Sequence, residues 1–187
     1  PPHNLSELCD GVTHLIDHPK TSVEELAQFI KGPDFPTGGI IYNTKDMVTA
    51  FATGKGGIVI RAKTDIQEDK TGKFKIIVSE VPYQVNKSTL IEKIANLVQE
   101  KKIDGIRDLR DESNKDGVRV VIDLKKDSYP KKVLNRLYKL TDLQTTFHYN
   151  MLALIDGIQP RVLNLKTILE EHIKHRQEII RRRTEFD

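Results

Sequence analysis

The stretch from Lys73 to Tyr149 constrains this chain more than any other, because it reads in turn as strand, helix, strand, strand, helix, strand. A short apolar run, Ile76, Ile77 and Val78, ends near Pro82, which cannot sit inside a sheet. Asn86 or Ser88 then caps a helix that carries Leu90, Ile91, Ile94, Leu97 and Val98 on one stripe, with Asp104-Gly105 as its stop signal. After the polar turn SNKDG, the residues Val118, Val120, Ile122 and Leu124 alternate with Arg119 and Asp123, the period-2 pattern of a half-buried strand. Pro130 suits the first turn of a second helix, whose inner face is Val133, Leu134, Leu137 and Leu140. Two amphipathic helices need a sheet to lie on, so this pattern predicts an α/β domain with a βαββαβ core.

The segments on either side add helices and a basic hairpin. Asn4 and Glu7 form a capping signature for a helix bearing Leu5, Leu8, Cys9, Val12, Leu15 and Ile16, ended by His18-Pro19. Ser22 and Glu25 repeat the signature ahead of Leu26, Phe29 and Ile30, up to the break at Gly32-Pro33. GPDFPTGG is a rigid loop, followed by a short strand at Ile40, Ile41 and Tyr42. Thr44 caps a helix with Met47, Val48 and Phe51 inward and Gly54 as terminator. TGKGG does not fit a phosphate-binding loop, because no hydroxyl residue follows the lysine and Gly56-Gly57 lead into the strand IVIRAK rather than a helix. That strand brings Lys55, Arg61 and Lys63 together and turns through EDKTGK into the strand at Phe74, a hairpin with a basic flank.

Composition excludes several classes. With 187 residues, 37% apolar and 30% charged, the chain can bury one ordinary core plus an appendage. Its one cysteine, Cys9, rules out a disulfide framework or a cysteine-rich zinc site and reads as a buried core thiol. Asp108, Asp111, Glu112 and Asp116 lack the ligand spacing of a calcium loop, and His172 and His175 lack a third ligand, so no metal site is expected. A formal charge of +3 does not by itself demand a polyanion. No run reaches the roughly 20 apolar residues that span a bilayer, so the chain reads as cytoplasmic. From Asn164 onward a narrow apolar seam (Leu165, Ile168, Leu169, Ile173, Ile179, Ile180) is loaded with Lys166, Lys174, Arg176 and Arg181 to Arg183. This predicts a projecting helix roughly 35 Å long at about 1.5 Å per residue. The missing initiator methionine and the unterminated end RRRTEFD lead us to expect a piece of a longer chain.

Specific strings go further. PPHNLSEL, IDHPKTSVEEL, GPDFPTGG, EVPYQVNKSTLIEKI, LRDESNKDGVRVVIDLKKD, LQTTFHYNMLALIDG and HIKHRQEIIRRRTEFD resemble, in order and spacing, the A subunits of the bacterial type IIA DNA topoisomerases. YQVNKSTLIEKI and IRAKT favour DNA gyrase; topoisomerase IV is the alternative. The resemblance implies an α+β fold, with a tower-type domain over 1–163 whose mainly antiparallel sheet is covered by helices, and the first part of a coiled-coil exit-gate helix over 164–187. It implies a parent enzyme that breaks and reseals duplex DNA in ATP-dependent supercoiling, as an A2B2 assembly of two A subunits with two gyrase B subunits. Magnesium and ATP belong to the B subunit, leaving no cofactor here. The family's nucleophilic tyrosine follows an arginine upstream of PPHN; Tyr42, Tyr83, Tyr129, Tyr138 and Tyr149 follow other residues, so no catalytic residue is expected. The segment should cradle the arms of the bent duplex through phosphate contacts, with His3, Asn4, Lys55, Arg61 and Lys63 as candidates. The rival reading is a ferredoxin-like RNA-binding or protein-interaction module. Its RNA-binding form would show aromatics on VRVVIDL, which has none.

Overall fold

A computed structural model describes residues 2–155 and 157–187. The described chain contains, in order, α1 (Leu5–Asp17), α2 (Val23–Phe29), β1 (Ile40–Ile41), α3 (Thr44–Thr53), β2 (Lys55–Arg61), β3 (Lys63–Glu68) and β4 (Phe74–Glu80). It continues with α4 (Lys87–Gln99), β5 (Ile106–Asp111), β6 (Val120–Leu124), α5 (Pro130–Leu140), β7 (Gln144–Asn150), β8 (Leu152–Ile155), β9 (Gln159–Val162) and α6 (Leu165–Phe186). The strands form sheets of order β1-β2-β7, β3-β4-β6-β5 and β8-β9, and every strand pair of known register is antiparallel. The α+β class expected from the sequence is the one observed.

Two compact units divide the chain: residues 1–35, 43–58 and 147–187 form one, and 36–42 with 59–146 form the other. The first unit groups α6 with the N-terminal helices. In the first unit α1, α2, α3 and α6 pack together around Leu15, Leu26, Ile30, Phe51 and Leu169. Ser22 and Glu25 make the full capping box of α2, and Asn4 caps α1 through the Glu7 amide. Glu7 does not reach back to its own cap; its carboxylate accepts from the Lys31 amide at 3.2 Å. The face α1 buries centres on Gly11 and Leu15, so Leu5, Ile16 and Cys9 are exposed. The expected core thiol is therefore corrected to a surface one, because the apolar stripe sits a few positions round from where residue type alone puts it. Asn43, not Thr44, caps α3, accepting from the Lys45 amide.

In the second unit α4 and α5 cover one face of the four-stranded sheet. Ile76 and Val78 of β4 stand opposite Ile122 and Val120 of β6, and with Leu90, Ile94, Val133, Leu137 and Leu143 they form the core. Ile77 and Val121, also paired in register, are buried on the opposite face. The central strands are thus covered on both sides, not half-buried as the alternation suggests. α4 ends at Gln99, five residues before Asp104-Gly105, in a two-bond cap: Lys102 donates to the Leu97 carbonyl and Lys101, at φ 56°, to that of Val98. β7 completes the sequential βαββαβ order but joins β2 in the other sheet, so the ferredoxin-like arrangement is not formed.

Candidate nucleic-acid interface

The five candidates fall in two groups. In the first unit, the His3 ring lies between aromatic partners: its Nε2 is 2.7 Å from the Tyr149 hydroxyl, and its centroid is 6.0 Å from that of Phe51. Tyr149 is only 1% exposed, and burial pushes its phenol far above the ordinary range. Asn4 spends its side-chain oxygen on the Glu7 amide and donates through Nδ2 to Asp34 at 3.3 Å. The Asp34 amide in turn donates to the Pro2 carbonyl at 2.8 Å. PPHN is thereby tied to the start of GPDFPTGG, and both His3 and Asn4 have structural work to do. Lys55 opens β2, is exposed, and has no carboxylate partner among the described residues.

The second unit holds Arg61, the last residue of β2. Its guanidinium carbon lies 3.7 Å from the centroid of the Tyr42 ring and 4.7 Å from that of Tyr138. Nε donates to Gln144 Oε1 at 2.6 Å. Tyr138 is itself fixed, with its hydroxyl 2.8 Å from Thr64 Oγ1. A long side chain that would otherwise sample many rotamers is held by contacts with two rings, and among the described residues its terminal nitrogens have no protein partner. One residue separates it from Lys63, whose ammonium is 3.2 Å from Glu80 Oε1 yet 59% exposed. The second Glu80 oxygen accepts the Gly39 amide at 2.7 Å. The Gly39 amide first, then burial working in opposition and Lys63 in support, leave the Glu80 carboxyl below its ordinary range. At Gly38, with φ 74°, a β-carbon would overlap Glu80 Oε2, so the double glycine lets the loop close on this carboxylate.

The expected basic group is divided between the two units, with Lys55 in the first and Arg61 and Lys63 in the second. Sequence reasoning does not find Tyr42, Tyr138, Gln144 and Glu80 as partners. Arg61 and Gln144 are 83 positions apart, Thr64 and Tyr138 74, and no local pattern carries such pairings. The acidic segment is matched to cations: Arg110 pairs with Asp108, Glu112 and Asp123, Arg119 with Glu112, and Lys87 with Asp111 at 2.7 Å. What the site offers chemically is a pre-positioned guanidinium with a lysine beside it, suited to holding an anion. No helix among the described residues is long and apolar enough to cross a membrane.

Comparison with known proteins bears on what that anion is. Residues 1–187 match the family of DNA gyrase/topoisomerase IV A subunits. The chain is 56% identical over its whole length to the DNA gyrase A subunit of Clostridium acetobutylicum, of which it spans 22%. It is 52% identical to the DNA gyrase A subunit of Pseudomonas aeruginosa, again over its whole length, spanning 20% of that protein. The DNA topoisomerase 4 A subunit of Streptococcus pyogenes is 50% identical across the whole chain, which spans 23% of it. The chain therefore covers about a fifth of the length of these relatives.

Proposed function

The chain belongs to the DNA gyrase/topoisomerase IV A-subunit family, and from that premise we propose that it is the part of a type II topoisomerase A subunit that supports the cleaved duplex by its phosphates. The observation that carries the reading is the clamped Arg61. A guanidinium held by two rings and a glutamine side chain presents its charge without the entropy cost of ordering a free arginine, and a phosphate contact of this kind positions the duplex without reading its sequence. Lys63 and Lys55 are the other direct contacts in this proposal. His3 and Asn4 act by fixing the PPHN segment and its loop.

The parent enzyme in this reading is DNA gyrase, an ATP-dependent isomerase of two A and two B subunits in the cytoplasm, with magnesium and ATP bound by the B subunits. The covalent step, attack of a tyrosine on a DNA phosphate, lies outside this segment. Among its own tyrosines, Tyr42 and Tyr138 are engaged with Arg61 and Tyr149 is buried against His3. Residues 1–163 serve as the tower, and α6 opens the coiled coil: beyond the buried Leu169, Ile180 is 55% exposed, as a seam awaiting a partner helix would be. A DNA-binding titration of the chain tests this. Binding should be independent of sequence and fall steeply with salt, and Arg61→Gln with Lys63→Gln should weaken it and flatten the salt slope. Binding that is absent, or indifferent to salt, refutes the reading.

A further inference from the structure

The charged residues of α5 are all of one sign. The helix carries Lys131, Lys132, Arg136 and Lys139 and no acidic residue, and its first turn has no carboxylate. Lys131 and Lys132 sit there instead, where the helix dipole is positive and cations are unfavourable. The N-cap does not compensate, since Tyr129 makes no side-chain capping bond and is 75% exposed. All four cations are exposed, while the opposite face buries Val133 and Leu137. α4 and α6 also lack a first-turn carboxylate, but Asn86 and Asn164 cap them, whereas α5 has neither a carboxylate nor a capping side chain there; such uncompensated local disagreement marks a functional surface.

Neighbouring segments enlarge the same positive field. Along the flank of α5, a groove of about 610 Å³ is lined by Lys101, Lys102, Lys125, Lys126, Lys132 and Arg136, against the two carboxylates Asp104 and Asp127. Asp104 is engaged by Lys125 at 2.9 Å, which also holds its carboxyl below the ordinary range, and Lys102 pairs with Glu100 at 2.6 Å. Arg136 Nε donates to the Lys102 carbonyl at 3.3 Å, fastening the α4–β5 connection to α5. Among the described residues Lys101, Lys126, Lys131, Lys132 and Lys139 have no carboxylate partner. On α5, Tyr138 packs over Arg61 on the other flank, so the helix stands between the clamped arginine and the groove.

We propose that α5 and the lysines beside it form a second phosphate-binding surface for duplex DNA, a ridge that extends the footprint beyond Arg61 and Lys63. The proposal rests on the DNA-supporting reading above. The helix extends about 16 Å at 1.5 Å per residue. A duplex presents a phosphate about every 3.4 Å along each strand, so an extended backbone can meet several of these cations at once. A phosphate near Lys131 and Lys132 would also restore negative charge to the helix N-terminus. An extended row of cations continuing past the groove to Lys139 matches a backbone better than a compact anion.

The test compares two variants of the 187-residue chain in duplex binding across a salt titration: Lys126→Gln/Lys132→Gln/Arg136→Gln, and Arg61→Gln/Lys63→Gln. Each lost phosphate contact should lower the slope of log K against log salt by about 0.9, so the α5 variant should lose about 2 to 3 units of slope and bind at least about tenfold more weakly at low salt. If the α5 variant binds like the unmodified chain while the Arg61/Lys63 variant is impaired, the second surface is refuted and the first reading stands. If the unmodified chain binds no duplex, both fail. Tight binding of inorganic tripolyphosphate, abolished in the α5 variant whose duplex binding is intact, would reassign the groove to a small anion and also overturn the proposal. A separate readout guards against misfolding. Lys132→Glu should raise Tm by about 1–4 °C, because it places a carboxylate in the first turn, while weakening DNA binding; a rise in Tm with unchanged binding would refute the surface.

Discussion

Replacing Arg61 by lysine separates two properties that the clamp combines, charge and a planar, directional head. Lysine keeps the charge. It has no planar head to set against Tyr42 and Tyr138, and it has no Nε–H to meet Gln144 Oε1 at 2.6 Å. Stacking on two rings at a half-exposed site is worth about 0.5–1 kcal/mol for each contact, and an ammonium can keep one of them. The charged hydrogen bond to Gln144 contributes about 1.5–3 kcal/mol where it is desolvated and less at this partly open position. Together these give an expected loss of about 1–2 kcal/mol for Arg61→Lys, read as a shift in urea midpoint at constant slope. In DNA binding the variant should keep most of the salt slope, because the charge persists, but lose affinity, because the head must be ordered anew. Gln144→Ala should be smaller in effect and non-additive with Arg61→Lys, since the two remove one shared bond. A stability change below about 0.5 kcal/mol with unaltered DNA affinity would show that the rings and the glutamine do not position Arg61, and the inference from the clamp would fail.

Three further outcomes follow from packing and charge. Gly54 sits at φ 77°, and a β-carbon there would overlap the Leu163 carbonyl oxygen, so Gly54→Ala should cost at least about 2 kcal/mol in chemical denaturation, from left-handed strain plus the disturbed Met151-to-Gly54 hydrogen bond. Leu137→Ala removes a fully buried side chain from the centre of the α5 face and should cost about 2–5 kcal/mol; below about 0.5 kcal/mol, the core assignment is wrong. The Asp111 carboxyl is held down to about 2, first by Lys87 and then by Ser113. Because its folded value lies below the unfolded value of about 3.9, its contribution is present above pH about 4 and is lost as pH falls toward 2. Asp111→Asn should therefore flatten the stability profile in that acid window and leave its shape above it unchanged, as followed by unfolding at a series of pH values.

Periodicity exposes the second unit well because its helices lie on a sheet and bury one clean face. Leu90, Ile94, Val133 and Leu137 are all readable from spacing alone and all are buried. Periodicity does less well where burial depends on a distant neighbour. Val121 falls on the face that alternation assigns to solvent, yet it is only 1% exposed. The β8–β9 hairpin escapes altogether, since Leu152, Leu154 and Val162 are exposed apolar residues on short strands, which composition does not separate from core. Helix ends mislead by similar logic. The stop at Asp104-Gly105 is the strongest local signal after α4, but Lys101 takes the left-handed position earlier, a role that residue type argues against.

The candidate site shows the same boundary between local and distant information more sharply. Five positions come from motif resemblance and positive charge, and charge alone ranks Arg61 with any surface arginine. What distinguishes it is the meeting of Tyr42, Tyr138 and Gln144, which no window of sequence contains. His3 and Asn4 show the converse. They stand in the most recognisable string, PPHN, yet their polar atoms are occupied by Tyr149, Glu7 and Asp34, so the string is recognisable for the loop it fastens as much as for anything it touches. The lysines of α5 escape notice for a third reason. At the level of composition they are part of an ordinary mixed surface, with 30 basic and 27 acidic residues in the chain. What sets them apart is a first turn with two lysines, no carboxylate and no capping side chain, beside a groove lined by lysines from the α4–β5 and β6–α5 connections.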